Sequence, residues 1–312
     1  MNRAEKWGIK QVSNWGRWGK DDQLGTTNFI TPEVIAKGGR EVKKGKIFTC
    51  AVPLDATGPI FPTRTPGVRM MTLLNVYARD IGFPSDCIAN DDSVFMPLQV
   101  STQWDSLAHV GYDNCFYNGV ETKYVTAHAG AAKNSIAAMA ESLTTRGVLL
   151  DLVRYKNAEA KGYLEPGYAI TPADLDGCAK AQNVTVESGD ALLLRTGWVP
   201  HWYNHPKERA TYWSACPGVG LKTLEWIYEK QISCIAVDNV TVEVQPSEIA
   251  DDQLPFHQIA IRDLGLVLGE IFQFEALAAD CKQDGRYTCF FVAPPLRFTG
   301  AVGSPLNPLA IK

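Results

Sequence analysis

The stretch Thr171–Trp198, TPADLDGCAKAQNVTVESGDALLLRTGW, sets a helix beside a strand. Thr171 followed by Pro172 is a helix start, because proline lacks the N–H that would go unsatisfied in a first turn anyway, and the helical pattern runs to Gln182. The apolar run Ala191–Trp198 reads as a strand. Both signals recur outward from here. Further β-rich apolar runs lie at Val148–Tyr155, Cys234–Val240, Leu266–Phe272 and Cys289–Phe298. Helical patterns lie at Asn134–Leu143 and Leu221–Gln231, and Thr31-Pro32 repeats the helix start. Strands interleaved with helices predict an α/β or α+β domain.

The 312 residues allow one large domain or two modest ones. No internal repeat is visible. The stretch Thr57–Val68, TGPIFPTRTPGV, reads as a loop, of a length often used as a lid or a subunit contact. No composition shift crosses it, so a single domain is expected over residues 46–312. Residues 1–45, rich in Trp and Gly (Trp7, Trp15, Trp18), are expected to form an amino-terminal arm packed on that domain or on a partner subunit.

Thirty basic residues stand against 34 acidic ones, a net charge of -4 with no basic tract. That disfavours nucleic-acid binding, which needs clustered positive charge. No apolar run reaches the ~18 residues of a membrane span. The start MNRAEKWGIKQ lacks the apolar core of a secretory signal, so a soluble, cytoplasmic protein is expected. The eight cysteines include no CxxC pair, and Cys234 and Cys289 sit in apolar runs, which predicts reduced, packed thiols.

Several chemistries are absent as motifs: GxGxxG after a strand, GxxxxGK[ST], GxSxG and HExxH. Pro217-Gly218-Val219-Gly220 lacks the third glycine and reads as the start of a helix. The five histidines can therefore be weighed singly. His201 and His205, in VPHWYNHPKE, are four apart, but Pro200 and Pro206 argue against a helix there and favour a surface or packing role. His128 lies among small residues and reads as packed.

His109 ends Gln99-Val-Ser-Thr-Gln-Trp-Asp-Ser-Leu-Ala-His109. On a helix or tight turn, Asp105 and His109 share one face. With the amides of Gln99 and Gln103 they could surround a divalent ion, or Asp105 and His109 could simply hydrogen-bond each other. Glu270 sits in the apolar run GLVLGEIFQF, thirteen residues after His257. A buried, unpaired carboxylate costs several kcal/mol, so Glu270 needs a cation, a strong set of donors or a proton; a metal is the economical partner, with a structural salt bridge to a base such as Arg262 beside it.

These two segments together resemble the metal-dependent cyclase family, which includes bacterial kynurenine formamidase, isatin hydrolase and a trans-dienelactone hydrolase. Its signature HxGTHxDxPxH reads here Gln99-x-Ser101-Thr102-Gln103-x-Asp105-x-Leu107-x-His109. Trp15–Gly25, Gly147–Tyr155, Gly189–Trp198 and Gly300–Ile311 also resemble the family, in the same order. The resemblance implies a mixed α/β fold of the swivelling β/β/α type. It implies a metal site of Asp105, His109, His257 and Glu270. Gln99 and Gln103 replace the family's two early histidines and mark a Thr-Gln-Trp-Asp subgroup. Amide oxygens are weaker zinc donors than imidazole, so one ion, Zn²⁺ or Mn²⁺, is expected, with Gln99 and Gln103 as ligands or outer donors.

The activity so implied is hydrolysis of an amide or ester, lactones and cyclic amides included, in a small carbonyl compound. The metal would polarise the carbonyl and lower the pKa of water toward ~7. Asp105 and Glu270 would neutralise charge, and His109 or His257 would carry the catalytic proton. Trp104, Tyr112 and Phe256 could line the pocket or simply pack. A homo-oligomer, dimer or tetramer, is expected. Two other readings stand beside this one: a non-catalytic relative with a degenerate metal centre, and metal-independent acid–base catalysis of cyclisation or dehydration by His109 and Glu270.

Overall fold

Parallel strands buried on both faces read as unbroken apolar runs rather than alternating ones, and the central runs of this chain do so. The computed structural model describes residues 3–312, so residues 1 and 2 of the expected arm lie outside the described residues. Nine strands form one mixed sheet: β1 (Ile47–Thr49), β2 (Gln103–Asp105), β3 (Thr144–Asp151), β4 (Ala191–Arg195), β5 (Cys234–Val237), β6 (Val267–Glu270), β7 (Thr288–Val292), β8 (Gly303–Pro305) and β9 (Leu309–Ile311). Their order is β1-β9-β7-β3-β4-β5-β6-β2-β8. The four central strands, β3 to β6, are mutually parallel, and the flanking pairs are antiparallel. Leu192–Leu194 and Ile235–Val237 are fully buried. The chain is thus a mixed α/β domain, as expected.

Helices α1 (Pro32–Gly39), α2 (Pro172–Ala181), α3 (Trp198–Asn204), α4 (Thr223–Lys230) and α5 (Glu275–Asp284) accompany the sheet. Both Thr-Pro starts hold. Thr31 accepts the Val34 N–H, and Thr171 and Asp174 form a reciprocal capping box. The pattern at Asn134–Leu143 gives only one tight turn, Ile136–Met139. Tertiary hydrogen bonds override it: Asn134 takes φ 59° and donates to the Tyr117 carbonyl, while the Ile136 N–H goes to Ala301. The run Val148–Tyr155 is split, because Asp151 ends β3 and accepts the Arg154 N–H to open a helical turn.

All eight cysteines are free, and six of them are buried. Among the described residues no helix is long and apolar enough to cross a membrane. Within the amino-terminal stretch, Asn14 and Trp15 lie along residues 262–264. The Asn14 N–H donates to the Asp263 carbonyl (2.9 Å), its side chain to Leu264 (2.9 Å), and the Trp15 indole to Arg262 (2.6 Å).

Strand β2 is only three residues long, yet it is wholly buried. It pairs with β6 in the register Gln103↔Glu270, Trp104↔Gly269 and Asp105↔Leu268. Trp104 is a core residue rather than a pocket wall. Its indole N–H donates to the Ala293 carbonyl at 2.8 Å, and its ring packs 5.0 Å from that of Phe272. Gly269 lets the two strands approach: a β-carbon there would run into the Trp104 ring and come within 2.7 Å of Phe272. Gly269→Ala should therefore cost about 1–3 kcal/mol, by overpacking, and push β2 off its register. Urea unfolding would read this as a lower midpoint at unchanged slope.

Candidate metal centre

In open sheets with parallel strands, ligands bind beyond the carboxyl ends of those strands, and Glu270 is the last residue of β6. The register beside it brings Gln103 and Asp105 into the same layer. His257 arrives from a separate direction, at the end of the short helical turn Pro255–His257, which continues into a wide π-helical turn, Gln258–Leu264. Such turns recur at functional sites. Asp105, His257 and Glu270 offer ligand-type atoms that all lie within 4.8 Å of one another, and all three residues are buried.

The distances define the arrangement. His257 Nε2 stands 3.3 Å from Glu270 Oε1 and 3.9 Å from Asp105 Oδ2. His109 Nε2 lies 3.7 Å from the other oxygen of Asp105, Oδ1. Asp105 and His109 are therefore neighbours, but across a strand end and a turn rather than along a helix. Gln103 donates its amide to Glu270 Oε2 (2.9 Å) and, at longer range, to Asp105 Oδ1 (3.5 Å). Gln99 stands apart. Its carbonyl accepts from Arg64 (2.5 Å), and its side-chain amide sits against Gly303, the β8 neighbour of Asp105.

Glu243 completes the centre, and the sequence reading did not pick it out. Its carboxylate accepts the backbone N–H groups of Phe256 and His257 (both 3.0 Å) and faces His257 Nδ1 at 2.5 Å. The signal was present: a carboxylate inside the apolar run Val240–Val244, the same cue that marked Glu270. An imidazole held at Nδ1 by a carboxylate directs Nε2 at its target, the usual arrangement behind a ligating histidine.

The electrostatics suit a divalent cation. Burial holds the Asp105 carboxyl above its ordinary range, with Glu270 adding to the effect against the lowering influence of His109 and His257. Burial opposes the charged form of His257, but its hydrogen bonds to Glu243 and Glu270 outweigh this and push its pKa up to about 10. Three buried carboxylates thus face one imidazolium. Gln103 Oε1 and Asp105 Oδ2 are also buried without a hydrogen-bond partner. The Asp105 oxygen, orphaned beside a negative cluster, is what a cation would satisfy, so the residues present fit one. Arg262 is not the partner of Glu270, since it pairs with Asp263 at 2.5 Å.

The centre forms part of the wall of a cavity of about 580 Å³, to which His109, His257 and Glu270 contribute. The aromatic walls are Phe61 and Trp213, in edge contact at 5.2 Å, with Arg64 beside them. Phe61 and Arg64 belong to the loop at residues 57–68. Tyr112 and Phe256 are not among the lining residues. Tyr112 stacks under Arg262 and donates to Asp263 (2.5 Å), and Phe256 is buried in the core. His201 and His205 lie outside the centre. Helix α3 does form around His201, because Pro200 falls in its first turn, where a missing N–H costs nothing. There His201 packs between Trp198 and His205.

Comparison with known proteins gives three kinds of result. The family described as "Putative cyclase" matches residues 48–244. A solved structure of a novel cyclase matches with TM-score 0.89 and 42% identity, over 100% of this chain and 99% of that one. Isatin hydrolase A from Labrenzia aggregata, bound to benzyl benzoate, shares the fold at 17% identity and TM-score 0.60, over 85% and 93% of the two chains. A predicted metal-dependent hydrolase from Bacillus stearothermophilus does so at 16% and 0.53, over 86% and 98%. No curated protein matches the chain.

A ligating imidazole must be neutral, whereas His257 of the metal-free chain is protonated at neutral pH. Cation uptake should therefore release protons, from His257 and from the raised Asp105 carboxyl, and affinity should rise with pH through the neutral range. Titration calorimetry in two buffers of different ionisation enthalpy measures this. Equal heats in both would contradict it.

Proposed function

The chain belongs to the cyclase family, and from that premise we propose that it is a metal-dependent hydrolase. Its substrates would be amides or esters, including lactones and cyclic amides, of small carbonyl compounds. The observation that carries this reading is the buried meeting of Asp105, His257 and Glu270 beside a cavity sized for a small molecule.

Asp105, His257 and Glu270 would hold one divalent cation, Zn²⁺ or Mn²⁺, with His109 at the open side of Asp105. When bound, the cation supplies the charge that polarises a carbonyl and lowers the pKa of water toward ~7. The chain does the rest. Glu243 keeps the Nδ1 proton of His257 and so leaves the Nε2 lone pair free to ligate beside Asp105 and Glu270. Gln103 must present its NH₂ end to Glu270, because its carbonyl end would repel the carboxylate. It thereby fixes Oε2 and leaves Oε1 facing the centre. Gln103 is thus an outer donor in this reading, and so is Gln99, whose side chain points to β8.

His109 reaches both Asp105 and the cavity, and its side chain is 22% exposed. It is placed to hand a proton to the leaving group at Nε2. Phe61 and Trp213 would flank a planar substrate, with Arg64 orienting its oxygen atoms. His257 is too enclosed for proton shuttling and serves as ligand.

The reading also includes a homo-oligomer. The hairpin Val68–Tyr77 and Ile88–Phe95 exposes Met70, Leu74, Val94 and Phe95, an apolar surface that a two-stranded ribbon cannot bury alone.

A panel of aryl formamides, lactones and cyclic amides, assayed with chelator and then with Zn²⁺ or Mn²⁺ restored, tests the reading. Turnover should vanish and return. Asp105→Ala should lose the ion and lower kcat/KM by about a thousandfold, equivalent to several kcal/mol of transition-state stabilisation. His109→Gln should keep the ion and lower kcat. Chelator-resistant turnover would select metal-independent acid–base chemistry instead, and an inert protein with no bound metal would select the non-catalytic reading.

A further inference from the structure

We propose that His201, His205 and Glu208 form a second divalent-cation site, separate from the centre at Asp105 and open to solvent. Their ligand-type atoms lie within 4.8 Å of one another, with His201 buried, His205 half-buried and Glu208 exposed. The backbone builds the alignment. His205 N–H donates to the His201 carbonyl and Glu208 N–H to the His205 carbonyl, both at 2.9 Å, which holds the three residues together across the end of α3.

The distances favour coordination over hydrogen bonding. His201 Nε2 to Glu208 Oε2 is 3.4 Å, and His205 Nδ1 to Glu208 Oε1 is 3.5 Å. An N–H···O bond closes to about 2.7–3.2 Å. Ligands about 2.0–2.1 Å from a tetrahedral zinc ion stand about 3.3–3.4 Å from one another. The other nitrogen of His201, Nδ1, is buried with no partner. This imidazole, locked between the rings of Trp198 (4.4 Å) and His205 (4.6 Å), thus makes no short hydrogen bond through either nitrogen. Lys161, a basic group that acts on His201, is already paired with Glu165 at 2.7 Å. Two imidazoles and a carboxylate, with the remaining position open to water, suit a borderline ion such as Zn²⁺ rather than Mg²⁺ or Ca²⁺.

The site would have a structural consequence. It would tie α3 to the segment after it, which leads to Trp213. Trp202 of α3 already donates to the Thr57 carbonyl at 2.7 Å, and Trp213 meets Phe61, so the cation would brace the loop that walls the cavity.

Equilibrium dialysis of the full, tag-free chain against Zn²⁺ alone, with metal counted by elemental analysis, tests the assignment. Wild type should hold two ions, Asp105→Ala one, and His205→Ala one. Glu208→Gln, at a side chain that is 52% exposed and so a mild test of folding, should weaken the second site by more than about 100-fold, beyond the loss expected of a group that only hydrogen-bonds a ligand. Zn²⁺ should still raise the melting temperature of Asp105→Ala, but not that of Asp105→Ala combined with Glu208→Gln. A single ion in wild type that only Asp105→Ala removes would overturn this proposal and leave the hydrolase reading standing. A single ion that only Glu208→Gln removes would do the reverse.

Discussion

Negative charge buried faster than it can be compensated is the constraint on which this structure turns. Asp105, Glu243 and Glu270 are nearly inaccessible to water, and the imidazolium of His257 is the cation in direct contact with them. Each uncompensated buried carboxylate costs several kcal/mol, and removing one member of such a set leaves the others stranded. The fold therefore keeps a cluster that destabilises the metal-free chain. A divalent ion would resolve the imbalance, because it would neutralise carboxylate charge and take up the orphaned oxygen of Asp105.

The scaffold around the cluster is rigid for the same reason. Two donors on β2 and one on β6 are held in place by strand register, not by flexible side chains. That register depends on the close approach of Trp104 to Gly269, a contact that has no room for a β-carbon. His257 is fixed twice by Glu243, through its backbone N–H and through its ring. The segment after it is backed by Asn14 and Trp15 from the amino-terminal stretch. Binding geometry is thus set before a ligand arrives, which is the condition for electrostatic stabilisation of a reacting carbonyl.

Much of this was legible in the sequence because the physics is local. Unbroken apolar runs marked the four parallel strands, and Thr-Pro pairs marked α1 and α2. The spacing of Asp105 and His109 gave their proximity but not its form, since a strand end followed by a turn also brings i and i+4 together. What was missed is non-local. Glu243 looks like any carboxylate in a strand until the chain returns to bring His257 against it. Phe61 and Trp213 wall the cavity from segments about 150 residues apart, while Trp104 and Phe256, beside the motif in sequence, are spent on the core. The prolines around His201 suggested irregular chain, but a proline in a first turn leaves a helix intact.

The most direct measurement is anomalous diffraction at the zinc edge from crystals of the full chain grown with Zn²⁺. The account predicts a peak enclosed by Asp105, His257 and Glu270, with Glu243 still on the far nitrogen of the His257 ring. Full-occupancy zinc elsewhere, with these three side chains paired only to one another, would contradict it.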